Sequence, residues 1–232
     1  MDVFIHFFLI LRYRHKKITV MIDTDKKFVV AIGRQFGSGG HDIAKKLAEK
    51  LGIPFYDKEL LLEAAKETGL NPDLFEKADE KLPSFYIGNI SMNIGYYIQP
   101  FHPSHSANFY ERVNKAICDM IEEIAQKESC VIVGRCADHI LRNKEKCISI
   151  FISADKDSCA ERVMQRTEGL NKSEAIALAT KEDKLRAEYY KFYTDKEWGT
   201  ANSYDLCIDS SKLAEDKVID ILINYIETRL KD

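Results

Sequence analysis

Along the chain, short apolar runs rich in β-branched and aromatic residues alternate with stretches whose apolar residues recur three and four positions apart. Five runs read as strands: "KFVVAIG" (27–33), "IPFY" (53–56), "SCVIVG" (129–134), "CISIFIS" (147–153) and "YDLCID" (204–209). Several are apolar on both faces, as strands buried inside a parallel sheet are. Between them, "DIAKKLAEKL" (42–51), "ANFYERVNKAICDMIEEIAQK" (107–127) and "DKDSCAERVMQR" (155–166) carry the helical period, as does a closing stretch over 212–230. This alternation predicts an α/β fold, a five-stranded parallel sheet with helices on both faces.

Two intervals break the alternation. Residues 57–110 contain helical "DKELLLEAAKETG", charged "EKADEK" and a segment of little periodicity, together long for a simple connection. Residues 168–199 form a polar, largely helical excursion before the last strand. Following strands two and four, both are placed to act as hinged covers over a site at the carboxyl ends of the strands. In "HPSH" (102–105), Pro103 is expected to break a helix, and with no third ligand nearby no zinc site is assigned. The apolar "VFIHFFLIL" (3–11) is too short to span a bilayer, and its basic residues follow it, the reverse of a signal peptide. Residues 1–26 are therefore expected to be a non-catalytic extension of a working domain over 27–232.

Composition narrows the partners. A hydrophobic content of 45% supports a sizeable core, and a formal charge of -3 argues against duplex nucleic acid. Small molecules are the expected partners, with no membrane, and a homodimer stays open. Six cysteines without a CxxC pair point to a reducing, cytoplasmic setting.

The candidate chemistry sits in "FVVAIGRQFGSGGHDIAKKL". A buried strand that runs through glycines into a helix aims backbone N–H groups and the helix dipole at an anion. The pattern GxxxxGK[ST], registered on Gly39, asks for glycine at 34, lysine at 40 and a hydroxyl at 41, whereas the chain has Arg34, Gly40 and His41. The dinucleotide pattern GxGxxG fits Gly37 and Gly39 but meets Asp42 third, with Asp57 standing where a ribose-binding acid belongs. A Rossmann-type NAD-dependent oxidoreductase is thus one alternative.

Three blocks in order, "GRQFGSGGHDIAKKLAEKLGIPFYDKELL", "SCVIVGRCADHIL" and "EYYKFYTDKEWGTANSYDLCIDS", together resemble the cytidylate kinase-like family, from about Phe28 to the end. The resemblance implies a three-layer P-loop NTPase-like fold with a monophosphate-binding insertion (57–110) and a helical lid (168–199). It implies ATP with Mg2+ as donor and CMP, dCMP or a related monophosphate as acceptor. It places donor phosphates over Gly37, Ser38, Gly39 and Gly40, flanked by Arg34 and His41, with Asp42 a candidate for holding magnesium or its water. "FYDKELL" keeps Asp57 of the family's Asp-Thr-Gly segment, and "VGRC" keeps Arg135 but has Cys136 in place of an acid. "DKLR" matches an Asp-x-x-Arg lid element, so Asp183 would orient a guanidinium while Arg186 reaches the transferred phosphoryl group. Arg34 stands in for the missing lysine, and Arg162 joins Asp57 and Arg135 on the monophosphate. Arg166 and Lys181 read as solvated helix charges, and no set of side chains is assigned as a metal site. Without the lysine's positive charge, a nucleotide sensor that binds without transfer is the other alternative.

Overall fold

In a computed structural model the described residues are 27–57 and 103–231, with backbone alone for 103–113. The expected extension (1–26) and most of the expected insertion (58–102) lie outside them. Chain order is β1 (Val29–Arg34), α1 (Gly40–Leu51), β2 (Phe55–Tyr56), α2 (Pro103–Lys127), β3 (Cys130–Val133), α3 (Ala137–Ile140), β4 (Cys147–Ser153), α4 (Lys156–Arg166), α5 (Lys172–Thr194), β5 (Leu206–Asp209) and α6 (Glu215–Lys231).

The sheet is parallel throughout, in the order β2-β3-β1-β4-β5. Val29 of β1 faces Cys130 on one side and Cys147 on the other, which fixes the register of the centre. The Rossmann alternative fails on this order, because that fold seats β2, not β3, beside β1.

Alternate residues of β1 serve different layers. Val30 and Ile32 pack with Ile43 and Leu47 of α1 and with Leu222 and Ile226 of α6. Val29 and Ala31 pack with Ile121 and Ala125 of α2 on the opposite face. Leu222 is fully enclosed in the first layer. Leu222→Ala should cost about 2–5 kcal/mol of unfolding free energy, read as a lower denaturant midpoint; an unchanged midpoint would mean that the α6 layer is not part of the cooperative core.

Some boundaries differ from the expectation, for local reasons. Helix α2 begins at Pro103, where a break was expected. At the first helical position the missing N–H has no intrahelical partner to lose. The last strand starts at Leu206, because Tyr204 leaves the ladder to pack on Phe151, ring centroids 5.0 Å apart. The cover over 168–199 is mainly α5, opened by a reciprocal Asn171–Glu174 capping box and packed near both ends through Ala175, Tyr189 and Tyr190. Among the described residues no helix is long and apolar enough to cross a membrane.

Candidate active site at the glycine loop

Parallel strands place the ends of β1, β2, β3, β4 and β5 on one edge, and the loop between Arg34 and Gly40 lies there. Gln35 extends the sheet by one step, its N–H donating to Ile152 O (3.1 Å) and its Oε1 accepting from Ala154 N (3.0 Å). Ser38 is fully buried; its hydroxyl donates to Gln35 O (2.8 Å) and accepts from Gly40 N (3.2 Å), so it shapes the loop from inside. Gly37 and Gly40 are required by close approach, since a Cβ would come within 2.6 Å of Cys159 O and 2.6 Å of Arg34 Cβ respectively. Gly39 differs. Its nearest neighbour would be Arg162 Nε at 3.7 Å, but its φ of +76° is the left-handed conformation that glycine alone adopts without cost. Gly39 itself brings no side chain to cap α1, and Gly39, Gly40 and His41 at the start of the helix line the cavity above it.

That cavity, about 180 Å³, is lined by Gly37, Gly39, Gly40 and His41 and by four arginines, Arg34, Arg162, Arg166 and Arg186. Guanidinium groups and helix-start N–H groups are the donor set that a polyphosphate requires. The structure seats Arg162 with this loop: it donates to Gly37 O (3.3 Å) and to Ser210 O (3.1 Å), while Ser210 Oγ donates to Ser38 O (2.6 Å). It was expected beside Arg135 and Asp57. Arg166, expected to be solvated, is 52% exposed and pairs with Asp42 of α1.

Asp42 is thereby engaged in an ion pair while staying about half exposed, 46%. Its second contact is His41 Nδ1 (3.4 Å), and the same imidazole meets Asp57 Oδ2 through Nε2 (3.0 Å) while resting edge-on against Phe55. His41 thus ties the glycine loop to the end of β2. Among the described residues no group of three His, Cys, Asp or Glu side chains could hold a metal alone.

Helix α5 grips the loop from above. Asp183 accepts the Phe36 N–H (2.6 Å), and Arg186 donates to Arg34 O (3.2 Å) with its guanidinium 5.4 Å from the centre of the Phe36 ring. Burial pushes the Asp183 carboxyl above its ordinary range, opposed by the Phe36 N–H and by the charges of Arg186 and Arg34. Asp183 therefore holds loop backbone as well as lying near both arginines.

A second pocket adjoins the first, lined by Arg34, Arg135, Arg186, Tyr189, Tyr190 and Trp198 among others. Its floor is the turn after β3, where Gly134, Arg135 and Cys136 take φ values of +80°, +56° and +54° in succession. Left-handed backbone costs a non-glycine residue about 1–2 kcal/mol. Arg135 is only 4% exposed, so its position is defined by packing as well as by the turn. Beneath it, the Tyr190 hydroxyl donates to Asp138 Oδ2 (2.7 Å), and the Tyr204 ring stacks on Tyr190. Desolvation pushes the Asp138 carboxyl up, partly offset by the Tyr190 hydrogen bond, and it also raises both tyrosines.

Arg34, Gly37, Gly39, Gly40, His41, Arg162 and Arg186 are thus gathered round one cavity. Ser38 and Asp183 hold the loop, Asp42 and Asp57 flank it through His41, and Arg135 lines the adjoining pocket. Asp138, Tyr190 and Tyr204 had not been singled out. The one available signal was Tyr190, one turn beyond Arg186 on the same helix face.

A sequence profile of the cytidylate kinase-like family matches residues 29–212. The cytidylate kinase of Methanopyrus kandleri is 25% identical over 212 residues, covering 88% of this chain and 95% of that protein. The cytidylate kinase of Pyrococcus furiosus is 27% identical over 196 residues, covering 84% and 85%. Among solved structures, an uncharacterized protein from Eubacterium ventriosum superimposes with a TM-score of 0.65 at 36% identity, over 87% of this chain and 99% of that one. Shikimate kinase from Bacteroides thetaiotaomicron, at 15% identity and a TM-score of 0.51 over 86% and 98%, shares the fold.

Proposed function

Because the chain belongs to the cytidylate kinase-like family, we propose that it is a nucleoside monophosphate kinase-like phosphotransferase that moves the γ-phosphoryl group of ATP to CMP, dCMP or a related monophosphate. The observation that carries this reading is the convergence of four arginines on a glycine loop that lacks the usual lysine. Phosphoryl transfer asks a protein for positioning and charge neutralisation more than for covalent chemistry. Arginines supply both.

Each residue has a role in this reading. Gly37, Ser38, Gly39, Gly40 and His41 cradle the donor phosphates. Arg34 and Arg162, fixed to the loop and to the β5–α6 turn, neutralise their charge in the ground state. Arg186 meets the group in flight, with Asp183 keeping α5 aligned on the loop. Arg135 anchors the acceptor phosphate, with Asp57 held nearby by His41. Magnesium, when bound, lowers the charge on the donor phosphates. With Asp42 engaged by Arg166 and His41, it would be held chiefly by phosphate oxygens and water.

A coupled ADP-release assay across the common nucleoside monophosphates, run beside ATP-binding calorimetry, tests the proposal. Release that depends on a pyrimidine monophosphate is expected; ATP binding with no release on any acceptor would replace it with a sensor. Arg34→Ala should raise KM for ATP roughly tenfold or more with little change in kcat, the signature of lost ground-state binding. An unchanged KM would remove Arg34 from the donor site.

A further inference from the structure

The turn that carries Arg135 departs from ordinary backbone conformation. It is left-handed over Gly134, Arg135 and Cys136, it is closed by the Ala137 N–H donating to Gly134 O (3.1 Å), and it is followed by α3, a helix of only four residues. So short a helix does not hold itself. Ala137 and Leu141 bury it against the α2 layer, and on the α5 side it is tied by Asp138, whose carboxylate accepts from the Tyr190 hydroxyl (2.7 Å). The Tyr190 ring in turn stacks on that of Tyr204, two residues before β5, with ring centroids 5.8 Å apart. Cys136, Tyr190, Tyr204 and Phe151 pack as one buried cluster below the turn.

The face of α5 that supplies this grip is the face that meets the phosphate loop. Asp183, Arg186 and Tyr190 lie three and four residues apart, and they reach Phe36 N, Arg34 O and Asp138 respectively. One helix face therefore spans the donor loop and the acceptor turn.

We infer that the chain Tyr204–Tyr190–Asp138 is a brace that holds the left-handed turn, and with it the Arg135 guanidinium, at the height of Arg34 and Arg186. The inference rests on the reading above for the assignment of Arg135 to the acceptor. Asp138, Tyr190 and Tyr204 border the pocket that Arg135 lines; the role inferred for them is positioning, exerted through Arg135, and the Cys136 labelling below separates it from direct contact with the acceptor. Releasing the brace lets the turn relax, moving Arg135 away from the acceptor and exposing the Cys136 thiol, while the glycine loop keeps its own supports in Ser38, Ser210 and Arg162.

The test uses the full chain with Tyr190→Phe, Asp138→Ala and Asp138→Asn. In the first two, KM for the monophosphate should rise roughly tenfold or more while KM for ATP stays put, because one buried hydrogen bond has been removed from the acceptor side. Asp138→Asn keeps an oxygen that accepts from Tyr190 and should retain most of the parent behaviour. A second arm needs no turnover: iodoacetamide labelling of each cysteine, followed by mass spectrometry. Cys136 should react roughly tenfold faster in Tyr190→Phe and Asp138→Ala, with buried Cys130 and Cys159 unchanged. Unchanged Cys136 labelling, or equal acceleration of Cys130 and Cys159, overturns the brace, as does a rise in KM for ATP in place of the acceptor. A parent protein without acceptor-dependent turnover would instead defeat the kinase reading, and the labelling arm would still decide the brace.

Discussion

Gly39→Val is expected to abolish ATP binding in a chain that still folds. Two effects combine at this position. The backbone at Gly39 is left-handed, with φ +76°, and a β-branched residue there is strained whatever space surrounds it. A Cβ would also project beside Arg162, 3.7 Å from Nε, into the cavity whose walls are the loop and the arginines. The strain falls on the loop rather than on the core, because the nearest atoms to a Cβ at Gly39 all belong to the Arg162 side chain, whereas at Gly37 it would strike the Cys159 backbone and at Gly40 Arg34 Cβ and Ile152 Cβ. Calorimetry should therefore show no ATP binding while circular dichroism and the denaturant midpoint stay close to the parent's. Intact ATP affinity in the folded variant would reduce the loop to a plain strand-to-helix turn.

Arg186→Ala should lower kcat on the order of 10³-fold, with a smaller effect on KM for ATP. In this structure its guanidinium is docked on the carbonyl of Arg34 and above the Phe36 ring. Both partners belong to the loop, so the side chain already sits at the cavity rim and needs only a local change of partner to meet a phosphoryl group. An interaction that strengthens as charge develops in transfer appears in kcat, whereas one present from the outset appears in KM. The contrast with Arg34→Ala is the informative part: a fixed loop cation and one delivered by a helix should fail at different steps. Steady-state rates with saturating acceptor and varied ATP measure both, at matched stability. An unchanged kcat in Arg186→Ala would sink the transfer mechanism.

Much of the scaffold could be read from the chain because burial writes itself into periodicity. The runs at Phe28–Ile32 and Cys147–Ser153 are apolar on both faces because helices cover both sides of the sheet. The glycine loop was recognisable for a similar reason: Gly37, Gly39 and Gly40 each answer a constraint of backbone angle or close approach that other residues meet poorly. Asp183 and Arg186 could be paired from their three-residue spacing, which a helix converts into a shared face.

The partners of those residues were decided only by the tertiary structure. The sheet order that brings β3 beside β1 depends on hydrogen bonds between segments a hundred residues apart, and no local pattern encodes them. The same holds for the polar contacts of the site: His41 meets Asp57 across 16 residues of chain, Tyr190 meets Asp138 across 52, Arg166 meets Asp42 across 124 and the Asp183 carboxylate meets the Phe36 N–H across 147. Hydrophobic and conformational preferences act within one or two turns and so leave a local trace in the sequence. A hydrogen bond or ion pair between distant elements leaves none, since a charged residue on a helix face has the same spacing whether water or a phosphate loop faces it. The residue types at 42, 166, 183 and 186 were therefore determined by the sequence alone; which of them hold the loop, which hold one another and which line the cavity was determined by the packing of α4 and α5 over the ends of the strands.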